Sequence, residues 1–363
     1  MPHYPTAFRN GLPAALSQAK AFAKTAHRVP RRSGALVLIA ALTLASGCEF
    51  GPLYQPLLSE DITVRLPTGG SVDDALDSIA AAGLADTALV RRAIAKREFA
   101  YRSGQFRLDS AMSAADIAQH LDVGGQEETR VILTNARTLG DMASNATRFV
   151  EVDSTQLMTA FLDSAWLDSV GYTPQTVMSI AIPNTYNVYW DATPEELRDR
   201  LLKEQRRFWS RGQRQERADS LGLTPTEVYT LASIVEAETQ HGPERPTVAG
   251  VYLNRLRRGI KLDADPTVIF GIGDFSIRRV LFRHLEYDSP YNTYMYAGLP
   301  PGPIAMASIA SIDAVLQPER HDYLFFVTKG DGSRTHAFAR DMSGHAANIR
   351  AFQRNLRARG IQR

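Results

Sequence analysis

Residues 224–239 read TPTEVYTLASIVEAET, and this stretch decides how the second half of the chain folds. Thr224, Pro225 and Glu227 make a capping box with Pro in the first helical position, so a helix starts there. At about 100° per residue, Val228, Leu231, Ala232 and Val235 share one apolar stripe. Glu236 falls at one margin of it, beside Ala232 and Tyr229. Glu238 falls at the other, between Ile234 and Leu231. Both carboxylates are expected to face protein rather than open water. A carboxyl group pressed against apolar neighbours holds its proton toward neutral pH. Acid catalysis of glycoside cleavage needs that property. A glutamate at the edge of an apolar stripe is most often a salt-bridge partner, and spacing does not choose between the two.

Downstream, VAGVYLNRLRRGIKLDADPTVIFGIGD (248–274) gathers Asn254, Arg255, Asp263 and Asp265 around a helix stop at Gly259 and an Asp-Pro turn. SPYNTYMYAGLPPGPIAMASIASIDAVL (289–316) is a loop rich in Tyr, Asn, Gly and Pro followed by a helix. Such loops suit sugars, because rings stack on aromatic faces and amides bond hydroxyl and N-acetyl groups. Pro300-Pro301-Gly302 also reads simply as a tight turn. YLFFVTKGDGSRTHAFARDMSGH (323–345) is a hairpin pattern around Gly330-Asp331-Gly332, with His336 and Phe338 alternating on the second strand. For His336, a strand-face histidine bonded to backbone is as good a reading as a substrate contact. Glu238 also reads as a structural partner, with Arg255 its candidate cation.

Upstream, one pattern recurs. Ile62–Leu66, Gly104–Leu108 and the run from Thr129 to Leu133 are short alternating strands, each followed by Ser71, Ser113 or Thr138 and a helical run. These units are expected to be small α+β repeats over 59–148. Residues 151–220 are expected to be a helical linking region, with AIPNTYNVYWDATPEEL (181–197) inserted and a helix start at Thr193-Pro194-Glu195-Glu196.

Six Lys or Arg and no Asp or Glu precede Glu49; without them the chain has 35 basic against 39 acidic residues. A mildly acidic bulk argues against a nucleic-acid partner. Residues 34–51, GALVLIAALTLASGCEFG, follow this basic flank of residues 1–33 and read as a membrane anchor with the rest of the chain exported. The competing reading is a lipoprotein signal ending at Cys48, although Ala45 stands where that box usually has Leu. Cys48 is the single cysteine, so neither an internal disulfide nor a cysteine metal cluster can form.

Together, SIVEAET, LNRLRRGIKLDADPTVIFGIG, SPYNTYMYAGLPPGPI and YLFFVTKGDGSRTHAF closely resemble the YceG-like, MltG-type endolytic murein transglycosylases over about Leu223 to Phe352. The upstream repeats resemble that family's LysM-like portion loosely. Asp263 and Ala264 before Asp265, Met306-Ala307 after Ile304, and Ile182 and Asn184 depart from its usual residues. The resemblance implies an α+β fold: an N-terminal membrane anchor, small LysM-like α/β repeats, and a mixed α+β catalytic domain over 221–363. It implies Glu236 as the catalytic residue, with Glu238, Asn254, Asp265, Tyr291, Asn292 and His336 as candidate substrate contacts. The implied reaction is a lyase reaction on peptidoglycan glycan strands at the membrane, with no cofactor or metal. Peptidoglycan synthases are candidate partners. A hydrolase using Glu238 or Asp265 as a second carboxylate, and a non-catalytic wall-binding scaffold, are the alternatives.

Overall fold

The computed structural model describes residues 51–361. The anchor expected over 34–51, and Cys48 within it, lie outside the described residues, Gly51 apart. Among the described residues, no helix is long and apolar enough to cross a membrane.

From Leu53 onward the chain is one compact unit, a mixed α+β fold of many helices and three two-stranded antiparallel sheets. In the first part, β1 (Ile62–Leu66) and β2 (Gly104–Leu108) pair with Val64 opposite Phe106. Between them lie α1 (Val72–Ala82) and α2 (Ala88–Ala95), and α3 (Ala114–Val123) follows. Val64, Leu66, Ile79, Phe106, Ile117 and Leu121 form its core.

The second part begins with β3 (Glu128–Leu133), α4 (Leu139–Ala146), α5 (Ser154–Phe161) and α6 (Ser164–Val170). It closes with β4 (Asn184–Tyr189) and α7 (Pro194–Trp209). β3 pairs with β4, setting Val131 opposite Tyr186. Both expected boundaries therefore change. The three strand–helix units are not three equivalent repeats, because the first two share one sheet and the third takes its partner from 184–189. The region 151–220 is not only a linker, since it supplies that strand and shares a core with β3 through Val131, Tyr186, Leu197 and Leu201. The capping residues are as expected: Ser71, Ser113, Thr138 and Thr193 each accept a hydrogen bond from the third helical amide and complete a capping box.

The third part carries α8 (Arg214–Leu221), α9 (Pro225–Glu238), α10 (Arg245–Arg257), α11 (Asp265–Ile272), α12 (Phe282–Leu285) and α13 (Ile309–Leu316). It ends with the hairpin β5 (Phe325–Thr328) and β6 (His336–Ala339), then α14 (Met342–Ala358). The start of α9 is the predicted one: Thr224 accepts from the Glu227 amide, and Glu227 returns to the Thr224 amide. Its environment is not. Val228 to Val235 are all buried, so α9 is a central helix enclosed on every side rather than an amphipathic one with a single apolar stripe. Two polar side chains in it are consumed internally. Tyr229 donates to the Ala181 carbonyl and accepts from the Ala307 amide, and Ser233 accepts from the Ile304 amide. Those bonds fasten the segment after Pro303 along α9, with Ile304 in one core and Met306 in the other.

Candidate active site

The two glutamates at the end of α9 meet different surroundings. Glu236 is held in a polar network. Its Oε1 accepts from Arg245 Nη2 at 2.9 Å. Its Oε2 accepts from the Ser311 hydroxyl at 2.5 Å, from the Ser308 amide at 3.3 Å and from the Ser308 hydroxyl. Both carboxylate oxygens are thus occupied in joining α9 to the starts of α10 and α13. This is the ion-pair reading of a stripe-margin glutamate.

Glu238 lines a cavity of about 390 Å³ together with Tyr252, Arg255, Asp263, Asp265, Tyr294, Phe325, Phe326, Met342 and His345. Its Oε1 accepts one hydrogen bond, from the Tyr252 hydroxyl at 2.9 Å. Burial disfavours its charged form and the nearby Asp265 charge adds to this; the Tyr252 hydroxyl and the Arg255 charge oppose them, and the result is a pKa pushed up to about 7. The expected cation, Arg255, does not bond Glu238. Its guanidinium donates to the carbonyls of Lys261, Leu262 and Leu324 and pairs with Asp263 at 2.9 Å. It therefore holds the 261–263 turn to the hairpin while keeping a positive charge at the cavity wall. Asp263 occupies the left-handed backbone region, φ 50°, a conformation Asp tolerates better than most residues.

Of the other expected site residues, Asp265 reaches the cavity, where it accepts from the Tyr294 hydroxyl at 2.8 Å. Asn254, Tyr291, Asn292 and His336 do not line it. Asn254 bonds the carbonyls of His321 and Tyr323. Asn292, wholly buried, bonds the carbonyls of Leu285 and Tyr287 and accepts from the Tyr294 amide. Tyr291 packs on Phe270 with ring centres 4.7 Å apart. His336 is bonded to Glu244 through its ring Nδ1 and its amide, at 2.9 and 2.8 Å. These four are bonded or packed within the protein.

Sequence reasoning missed Tyr252, Tyr294, Phe325, Phe326, Met342 and His345. All lie in or beside the segments it singled out, but aromatic composition does not say which Tyr of YNTY faces a cavity. Asp341 is a readable cap for α14, accepting from the Gly344 amide, and could have directed attention to the first turn of that helix.

A half-buried carboxyl at an aromatic, carboxylate-lined cleft, on a helix buried among helices and small antiparallel sheets, marks this as a mixed α+β protein with a candidate acid/base site. The YceG-like family matches residues 64–351, and the chain belongs to that family. It is similar to the endolytic murein transglycosylase of Bacillus subtilis (strain 168), with 45% identity over 105 residues, 29% of this chain and 29% of that protein. It is also similar to the endolytic murein transglycosylase of Streptococcus pneumoniae serotype 2, with 26% identity over 357 residues, 86% of this chain and 63% of that one. The chain thus covers less than two thirds of the length of either relative. A crystal structure of a YceG-like protein from Listeria monocytogenes shares the fold, with a TM-score of 0.53 and 23% identity over 79% of this chain and 98% of that one.

Proposed function

We propose that the protein is an endolytic peptidoglycan lytic transglycosylase in which Glu238, not Glu236, is the acid/base residue. The observation that carries this is the position of Glu238: in the cleft, with one hydrogen-bond partner and a pKa pushed up to about 7. The names of the similar B. subtilis and S. pneumoniae proteins support the substrate class.

Glu238 enters the reaction protonated. It gives its proton to the oxygen joining N-acetylmuramic acid to N-acetylglucosamine as the anomeric carbon–oxygen bond breaks, which frees the N-acetylglucosamine hydroxyl. The carboxylate then takes the proton of the muramoyl 6-hydroxyl, whose oxygen bonds to the anomeric carbon. A 1,6-anhydro end forms and Glu238 is protonated again, so one carboxyl group serves twice without water. Tyr252 steadies the carboxylate between the steps: burial raises its own pKa well above the usual tyrosine range, so its hydroxyl stays a donor. Asp263 and Asp265 share the cleft, and a muramidase using one of them with Glu238 is the second reading. Mass spectrometry of digested peptidoglycan separates the two, the lyase giving anhydro ends and the hydrolase hydrated reducing ends.

The remaining assignments belong to the same proposal. Residues 34–51 anchor the chain in the cytoplasmic membrane as a single pass, with the site on the outer side, or Cys48 carries a lipid. The β1–β2 part over 62–123 acts as a LysM-like wall-binding part, the β3–β4 part over 128–209 joins it to the catalytic domain at 221–363, and peptidoglycan synthases are its partners at growing strands. Intact-mass measurement of membrane-extracted protein distinguishes the uncleaved anchor from a lipidated Cys48.

A further inference from the structure

We propose that His345 is a substrate-positioning residue of this cleft, donating a hydrogen bond from Nε2 to a carbonyl or hydroxyl oxygen of a bound sugar unit. The inference rests on the reading of the Glu238 cleft as the glycan site. Asp341 caps α14, so the helix begins at Met342. Met342 and His345, three residues apart, share a face and both line the cavity. The imidazole stacks on Phe325, with ring centres 5.2 Å apart and planes at 26°. Phe325 is itself held by the Arg255 guanidinium 5.2 Å from its centre. The histidine ring therefore has a fixed plane at the cavity wall.

Its two nitrogens are not equivalent. Among the described residues neither nitrogen has a hydrogen-bond partner, but Nδ1 is buried whereas Nε2 keeps some exposure. Nε2 is thus the accessible nitrogen of a ring that lines the cavity. Burial and the Arg255 charge both disfavour a second proton on the ring, so one proton has to be shared between two sites. At Nδ1 an N–H would be stranded in a desolvated position. At Nε2 it can reach water or a ligand, which favours the Nε2–H tautomer. The contrast with the other polar residues nearby is what points to a ligand. Asn254, Asn292 and His336 are spent on internal bonds, while His345 leaves a preset donor at the cavity that Glu238 and Asp265 also line.

The test is binding of uncross-linked peptidoglycan glycan strands, stripped of their peptides, to full-length Glu238→Gln protein and to the same protein carrying His345→Phe, His345→Asn or His345→Gln. Phe keeps the stack without a donor. Gln puts an amide N–H near the Nε2 position and Asn puts one near Nδ1. The expected result is about tenfold weaker binding for Phe and Asn, with Gln within about threefold of the parent. In the enzyme with Glu238 intact, the same changes are expected to raise KM more than they lower kcat. Equal binding by the Phe variant and its parent overturns the role of His345. If the Glu238→Gln parent still cleaves glycan, the acid/base reading of Glu238 fails instead, and the binding series still reports on His345. No binding by the parent overturns both.

Discussion

Glu236 and Glu238 are two residues apart on one helix, yet one is saturated with hydrogen-bond donors and the other faces a cleft with a single tyrosine. Glu236→Ala is expected to cost about 1–3 kcal/mol of stability, because it removes the carboxylate partner of Arg245, leaving that cation only its bond to the Ser308 hydroxyl, and removes the bond between α9 and the start of α13; chemical denaturation measures it. Glu238 behaves oppositely. Its pKa is higher folded, about 7, than its ordinary 4.5, so the folded protein binds more protons than the unfolded chain between those values. Stability therefore falls as pH rises through that window. Glu238→Gln is expected to raise stability by about 1–2 kcal/mol at pH 8, discounted for partial exposure, and by nothing measurable near pH 4. Melting curves at the two pH values check this. Activity is expected to decline above about pH 7 as the acid is lost, and Tyr252→Phe, by removing a bond that favours the carboxylate, should move that decline to higher pH.

At the scale of elements, the helix start at Thr224 was fully legible, because a capping box is local chemistry. The direction of its side chains was not. The wheel assumed one buried face, whereas α9 is enclosed all round, so distance from an apolar stripe carried no information about which glutamate was free. Likewise β3 was legible as a strand, but its partner, 184–189, lies about fifty residues away and only the fold reveals it. Pro300-Pro301-Gly302 read simply as a tight turn; the structure gives a reason for its glycine. A Cβ at Gly302 would lie 2.0 Å from the Gln175 carbonyl oxygen, so the loop needs glycine for close approach. Gly302→Ala is expected to destabilise by more than about 2 kcal/mol, seen as a lowered denaturation midpoint with an unchanged slope.

Over the whole molecule, every described residue that lines the cleft falls between Glu238 and His345, which is why that part of the chain was the most readable for function. The upstream parts bury their own cores and are tied to each other by polar contacts such as Thr68 with Glu151 and Ser103 with Asp191. The central claim is that this cleft works through Glu238, and the most direct measurement is the yield of 1,6-anhydro ends from peptidoglycan by Glu238→Gln and Glu236→Gln enzymes under identical conditions. The account predicts a loss of 10²- to 10⁴-fold for Glu238→Gln, and a yield within about tenfold of the unaltered protein for Glu236→Gln. Retained cleavage by Glu238→Gln with abolished cleavage by a folded Glu236→Gln would contradict it.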